Sequence, residues 1–120
     1  MGNRALVIFH EHSRKVYGPV VYLHWHGGMV GEYLSQVRAL MGERLDDVDY
    51  ATARFIGLAH EDNRDALSLG VWEKPRRFSD TKAWLEEFSH GDAGVFLVDA
   101  KTWEVRTFGG YGLTDEAAAA

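Results

Sequence analysis

The segment that most constrains the fold of this chain is residues 4–10, which reads Arg-Ala-Leu-Val-Ile-Phe-His. β-Branched and aromatic residues at this density predict a β-strand. Successive side chains of a strand point to opposite faces of a sheet, and here both sets are largely apolar. Because each face must be covered, we expect the hairpin that this strand forms with the next one to lie inside a sheet rather than at its rim.

A second strand is expected to return beside the first over residues 16–25, after a polar turn at residues 11–15. Gly18 and Pro19 interrupt it. Because proline has no amide hydrogen to donate, this point is predicted to be an edge or a bulge. The two strands therefore predict a hairpin whose two faces are both largely apolar.

The rest of the chain alternates between helical and strand-like patterns. Apolar residues spaced three and four apart predict amphipathic helices, and alternating ones predict strands. The expected helices cover residues 29–44, 48–63 and 81–90, and the further strands cover residues 67–72, 95–98 and 102–108. We predict a single α+β domain over residues 1–116, with a mainly antiparallel sheet of about five strands, three helices on one face and the order ββααβαββ. The alanine tail at residues 117–120 is set aside as low complexity.

Two of these helices have recognisable start signals. Asp46 and Asp47 are predicted to cap the second helix, and Ser79 and Asp80 the third, because short polar side chains accept hydrogen bonds from the free amide groups there. Gly57 interrupts the second helix at a cost of about 1 kcal/mol relative to alanine. We therefore expect a close packing contact at Gly57.

Composition excludes several classes of protein. The 120 residues include no cysteine, which excludes a disulfide scaffold, a thiolate metal site and a cysteine nucleophile. A chain of this length buries roughly two-thirds of its unfolded surface and needs no metal to fold. No apolar run approaches the roughly 18 residues of a membrane span, and the polar start is unlike a secretory signal. We expect a soluble cytoplasmic domain that contacts no membrane.

The net charge of −5 lies entirely in the second half of the chain. Residues 1–60 have six basic and six acidic side chains, whereas residues 61–120 have seven and twelve. A duplex binder usually shows a basic stripe that neutralises phosphates, so direct nucleic-acid binding is not expected. The acidic half instead suits a partner protein with a basic surface. The predicted contact residues are Glu61, Asp62, Asp65, Glu86 and Glu87.

Two His-x-His pairs, His10 with His12 and His24 with His26, have a spacing that can chelate zinc or copper. The hairpin places the two pairs at opposite ends, with His10 opposite about residue 17 and His24 opposite about residue 3. Each pair alone lacks a full ligand set, so no metal site or cofactor is predicted. No serine lies in a nucleophile-elbow setting, and no catalytic residue is predicted either.

The stretch from His24 to Gly31 predicts a strand, a glycine turn and the start of a helix. Free amide groups at a helix N-terminus attract anions, and glycine lets a phosphate approach the backbone. The spacing matches neither a Walker A loop nor a G-x-G-x-x-G fingerprint. A tight turn that needs a positive φ at glycine explains it more simply. The candidate ligand site consists of His24, Trp25, His26, Gly27, Gly28 and Arg54.

Several short motifs follow one another in an order that resembles a known family. They are Asn3-Arg4-Ala5, Val21–Trp25 followed by Gly27-Gly28, Ala53-Arg54, Leu67–Gly70, Asp92–Val98 and Trp103–Val105. With them the chain resembles, over about residues 3–106, small uncharacterised proteins of bacteriophages and integrative elements. Those proteins often have Asn or Asp after the tryptophan, where this chain has His26. The resemblance implies an accessory protein of a mobile element in a bacterial cytoplasm.

Three functional hypotheses follow from these features. The first is a non-enzymatic protein that binds a host protein or complex through its acidic residues, as an anti-defence and specifically an anti-CRISPR inhibitor would. The alternative is a binding module for a small anionic ligand or nucleotide at the strand–glycine–helix junction, and an enzyme that uses the histidines is the weakest. Trp72 and Trp103 are candidates for an exposed patch on an uncovered sheet face, where self-association into a homodimer is the simplest cover.

Overall fold

The computed structural model describes residues 3–62, 64 and 67–112, so the end of the predicted domain at 113–116 and the alanine tail at 117–120 lie outside the described residues. The described residues form one sheet in the strand order β3-β2-β1-β4-β5. The strands are β1 (Ala5–Glu11), β2 (Val16–Leu23), β3 (Leu69–Trp72), β4 (Gly94–Asp99) and β5 (Val105–Phe108). The helices are α1 (Val30–Met41), α2 (Val48–Asp62) and α3 (Lys82–Phe88).

Strand β1 lies at the centre of the sheet, between β2 and β4. The β1–β4 pair is parallel, and the other three neighbouring pairs are antiparallel. Every residue of β1 and β4 is buried, which confirms that the first strand is internal. The α+β class, the mainly antiparallel sheet and the order ββααβαββ are likewise confirmed.

The two faces of β1 pack against different helices. Val7 and Phe9 belong to a core cluster with the inner side chains of α1 and α2. Leu6 and Ile8, which point the other way, pack with Leu85 of α3. The expectation that all three helices share one face is therefore wrong for α3. The reason is that the central strands are apolar on both sides, which leaves two faces to be covered.

The second helix begins at Val48, as predicted, whereas the third begins at Lys82, one residue later than predicted. Asp47 Oδ1 accepts a hydrogen bond from the amide of Tyr50 at 3.0 Å, in the first turn of α2. Helix α3 is capped by the Thr81 hydroxyl, which accepts from an amide of its first turn at 3.4 Å. Asp80 instead accepts a hydrogen bond from the Tyr17 hydroxyl at 3.1 Å and so ties this loop to β2. No helix in the described part of the chain is long and apolar enough to cross a membrane.

A buried carboxylate organises the turn between β1 and β2. The Glu11 side chain accepts hydrogen bonds from the Ser13 hydroxyl at 2.6 Å and from the Arg14 amide and Nε at 2.9 and 3.0 Å. These bonds, with that from Ser13 the strongest, lower the pKa of Glu11 to about 2. The carboxylate therefore stays ionised in place at the end of β1.

The hairpin contains the bulge that the sequence predicts. The register of β1 against β2 shifts between Ile8 and His10, opposite Gly18 and Pro19. Beyond the shift, His10 lies opposite Tyr17, as expected from the position of the turn. The one extra residue of β2 is thus absorbed without disturbing the pairing on either side.

Gly57 does not make the close contact that its position in the second helix predicts. The residue is exposed, and a Cβ built on it has no neighbouring heavy atom within 4 Å. We expect Gly57→Ala to raise the free energy of unfolding by about 1 kcal/mol, because alanine loses less backbone entropy in a helix. Urea denaturation measures the change.

The control for this substitution is Gly94→Ala. Gly94 has a φ of 94°, and a Cβ there would lie 2.4 Å from the carbonyl oxygen of Phe108, so this variant should be destabilised. A lower denaturation midpoint for Gly57→Ala than for the unmodified protein would contradict the assignment of Gly57 as an unconstrained helix position.

Candidate functional site

The predicted ligand residues from His24 onwards lie at the end of β2, beside the start of β3. The amides of His24 and Trp25 donate to the carbonyl oxygen and the hydroxyl of Ser68, at 2.8 and 3.0 Å. His24 Nδ1 shares a hydrogen bond of 2.6 Å with the Tyr22 hydroxyl. The Trp25 ring meets the His24 ring edge-on, with 4.5 Å between centroids, and is 54% exposed. The junction therefore presents aromatic surface to solvent.

Three backbone amide groups of this junction are used within the chain. The Gly27 amide donates to the carbonyl oxygen of Asn3 at 2.7 Å. The Met29 amide donates to His26 at 2.9 Å, and the Val30 amide donates to Gly27. The cradle of free amide groups that the glycine turn predicted is therefore not formed by these three residues, because each N–H already has a carbonyl acceptor.

Close approach to another segment, rather than a positive φ, explains the glycine at position 27. A Cβ on Gly27 would lie 2.2 Å from the carbonyl oxygen of Asn3 and 2.9 Å from Cβ of Ala93. Neither Gly27 nor Gly28 has a positive φ. At Gly28 the nearest atom, Asn3 Oδ1, is 3.6 Å away. The turn thus packs its first glycine against the start of β1.

The remaining members of the predicted ligand site do not complete it. His26 Nδ1 is buried and has no hydrogen-bond partner among the described residues. Arg54 is exposed on α2, and in the described part of the chain no hydrogen bond, ion pair or ring contact joins it to the His24–Gly28 segment. The structure therefore does not bring Arg54 to this junction.

The predicted acidic contact residues fall on two sides of the molecule. Glu61 and Asp62 are exposed at the end of α2, whereas Glu86 and Glu87 are exposed on α3. Because α2 and α3 cover opposite faces of the sheet, these two pairs do not form one surface. Asp65 lies outside the described residues.

The α2 pair belongs to a groove between the first turns of α1 and the last turns of α2. The groove encloses about 500 Å³. Its apolar side chains are Met29, Tyr33 and Leu58, and its polar ones are Glu32, Gln36, Glu61 and Asp62. The Tyr33 hydroxyl donates a hydrogen bond to the Asp62 carboxylate, which holds that carboxylate at the groove. The three carboxylates of this groove attract cations, and its apolar side chains can pack against the aliphatic part of a ligand.

Sequence reasoning missed half of this groove. Glu32 lies in the half of the chain with no net charge, so a search for excess acidity passes over it. The signal that would have found it is the short connection between the first two helices, which predicts antiparallel neighbours. Such neighbours bring the start of α1 beside the end of α2, and therefore Glu32 beside Glu61.

A second cleft lies at the carboxyl ends of the parallel strands β1 and β4. It encloses about 380 Å³ and is lined by His10, His12, Asp99, Thr102, Glu104 and Arg106. From these ends the chain leaves β1 towards β2 and leaves β4 towards β5, in opposite directions along the sheet. Divergence of this kind opens a crevice between parallel strands. The sequence did not predict this cleft, because the β1–β4 pairing joins distant parts of the chain.

His10 is a buried titratable group of this cleft. Its ring stacks on Tyr17 with 5.5 Å between centroids, and its Nδ1 has no hydrogen-bond partner in the described residues. Burial lowers the pKa of His10, and the charge of Asp99 opposes that shift. Arg106 and His12 lower the pKa of His10 further, and Asp80 raises it. His10 is consequently a neutral side chain at pH 7.

The histidine pairs lie at opposite ends of the hairpin, as expected. The rings of His10 and His12 have centroids 6.3 Å apart beside the first turn, and His24 and His26 follow the far end of β2. Within the residues that the structure describes, no group of three or more His, Asp or Glu side chains is placed to hold a metal ion.

No family model, curated protein or solved structure matches this chain. A functional assignment therefore rests on the geometry of the groove and the junction and on the chemistry of their side chains.

The two glycines of the junction should differ in their tolerance of a methyl group. We expect Gly27→Ala to lower the free energy of unfolding by about 3 kcal/mol, because its Cβ would meet backbone that cannot move without shifting β1. Gly28→Ala is the matched control and should change stability by well under half of that, since its Cβ has only an ordinary contact. Urea denaturation of both variants checks this, and equal losses would refute the packing role of Gly27.

Stability should depend on pH through His10. The folded state lowers the pKa of His10, so the unfolded chain binds a proton first as the pH falls below about 6.5. The free energy of unfolding should therefore decline from pH 7 towards pH 5, and His10→Gln should flatten that decline because glutamine does not titrate. His60→Gln, at an exposed position of α2 away from this cleft, is the control. Denaturation at several pH values measures the slopes, and an unchanged slope in His10→Gln would exclude His10 as the source.

Proposed function

We propose that this protein is a non-enzymatic binding protein whose α1–α2 groove takes a basic segment of a partner protein. The observation that carries the proposal is the set of three carboxylates, Glu32, Glu61 and Asp62, beside apolar side chains in one groove of about 500 Å³. A lysine or arginine side chain has matching parts, an aliphatic stem and a cationic head.

The chemistry of the groove supports each part of that contact. Met29 is 40% exposed and, with Leu58, offers apolar surface for an aliphatic stem. The exposed carboxylates of Glu32 and Glu61 offer acceptors for the cationic head, in exchange for the exposed contacts that they make with Gln36 at 3.2 Å and Arg64 at 3.9 Å. The carboxyl end of α2 adds the negative end of a helix dipole of 15 residues. The carboxylates and the carboxyl end of the helix both attract a cation and repel a phosphate.

The kind of partner follows from charge and from the sequence resemblance. A protein with a net charge of −5 is attracted to basic surfaces, and proteins that handle nucleic acids have such surfaces. The resemblance to accessory proteins of mobile elements points to a host complex of this kind. We therefore infer an anti-defence inhibitor, with a nucleic-acid-guided complex such as a CRISPR effector as its target class.

The alternative, a small anionic ligand at the His24–Gly28 junction, has less support. Three amides there donate to carbonyl oxygens of the chain, and Arg54 makes no described contact with the segment. The exposed Trp25 ring remains as a surface for stacking, but stacking alone does not select an anion.

A charge reversal on one side of the sheet tests the proposal. Glu32→Lys with Glu61→Lys should weaken binding of a lysine- and leucine-rich amphipathic peptide about tenfold, because each exposed ion pair contributes about 0.2–1 kcal/mol and reversal replaces attraction with repulsion. Glu86→Lys with Glu87→Lys changes the net charge equally on the opposite face and is the matched control. Isothermal titration at about 0.05 M and 0.5 M salt measures the affinities, which should fall as salt screens the groove.

The same pair of variants decides between the two acidic faces. Each is also used to capture proteins from bacterial host lysate, with the unmodified protein alongside. A loss of peptide and host-protein binding only in the α1–α2 variant supports the groove. A loss only in the α3 variant, or an equal loss in both, would overturn it.

A further inference from the structure

We propose that β3 pairs with β3 of a second copy of this chain, as antiparallel strands that join two sheets edge to edge. Strand β3 is the last strand on its side of the sheet, so among the described residues its outer edge has no strand beside it. Such an edge exposes unpaired N–H and C=O groups. The segment Leu67–Trp72 that borders it contains no charged residue and no proline.

The side chains along this edge are unusually apolar for a protein surface. Leu67 is fully exposed, Val71 is 48% exposed and Trp72 is 37% exposed. Trp25, also largely exposed, is tied to the same edge by the hydrogen bond from its amide to Ser68. Four large apolar side chains therefore lie on or beside β3, whose outer edge has no strand partner among the described residues, and such a patch is typical of a contact surface.

The opposite edge of the sheet shows the protection that β3 lacks. Strand β5 contains the charged residue Arg106. Its Nε lies 3.9 Å from Oε1 of Glu104, the residue just before the strand. Charge is one of the usual means of blunting an edge. A charged residue is present in β5, whereas Leu69–Trp72 of β3 contains none.

The edge is compatible in charge with a second copy as its occupant. Two copies of a chain with net charge −5 repel one another, and the repulsion is smallest where the residues at the centre of the contact, Gly70 to Trp72, have no charge. A two-fold axis at Val71 places Trp72 opposite Gly70, so that an aromatic ring covers a glycine. The nearest charges, on Glu73 and Lys74, would then face Leu69 and Ser68. No like charges meet in that register, so the strand is compatible with itself.

The absence of cysteine in the chain makes a direct test available. Val71→Cys would place a single thiol at the two-fold axis, where the two copies bring it against its equivalent. We expect mild oxidation at micromolar concentration to yield a covalent dimer at least about tenfold faster than in Leu40→Cys. Leu40 is a matched control because it is 59% exposed on α1, away from the edge.

Two measurements on the protein without cysteine complete the test. Light scattering should give a mass twice that of the 13.5 kDa chain, falling to the monomer on dilution, and hydrogen exchange should show β3 amides protected only at the higher concentration. Val71→Lys should stay monomeric, and Leu40→Lys should behave like the unmodified chain. A monomer at every concentration together with equal crosslinking in both cysteine variants would overturn the proposal. So would protection of β3 only when another protein is added, since that outcome assigns the edge to a different partner.

Discussion

The parallel pairing of β1 with β4 is the contact on which the rest of this structure depends. Both strands are buried along their whole length, and each is apolar on its two faces. Such strands are stable only if both faces are covered. The α1–α2 pair covers one face and α3 the other, and this division separates the two sets of acidic residues. The acidic groove belongs to the two-helix layer, whereas the His10 cleft opens where the two central strands end.

Much of this architecture is written locally in the sequence. The run Leu6–Phe9 predicts an internal strand, and the polar turn after it predicts that His10 lies opposite Tyr17, as it does. The Asp47 cap follows from the preference of helix starts for short acceptors. The face that a helix covers is not local in this sense. The apolar stripe of α3 can be buried against either face of the sheet. Only the path of the chain from β3 to β4 decides which face the helix covers.

The candidate sites show the same limit. Counting charges along the chain selected Glu61 and Asp62, which line the groove, but joined them to Glu86 and Glu87, which lie beyond the sheet. Charge in the second half of a sequence is not charge on one surface. The glycine turn gives a related lesson, since its sequence suited either an anion cradle or a tight turn. The turn is what the backbone forms, yet contact with Asn3, rather than a special φ, makes the glycine necessary.

The central pairing also fixes when the fold can form. Arg4, just before β1, is bonded to Asp92, just before β4, although the two residues are 88 positions apart. Contacts between distant positions require a long loop to close and therefore form slowly. During synthesis the hairpin and the first two helices emerge long before β4. The edge of β1 that pairs with β4 is therefore unpaired during that time. β1, which is apolar on both faces, therefore gains its second neighbour late in synthesis. Until β4 pairs with it, its free edge can pair wrongly or bind a chaperone.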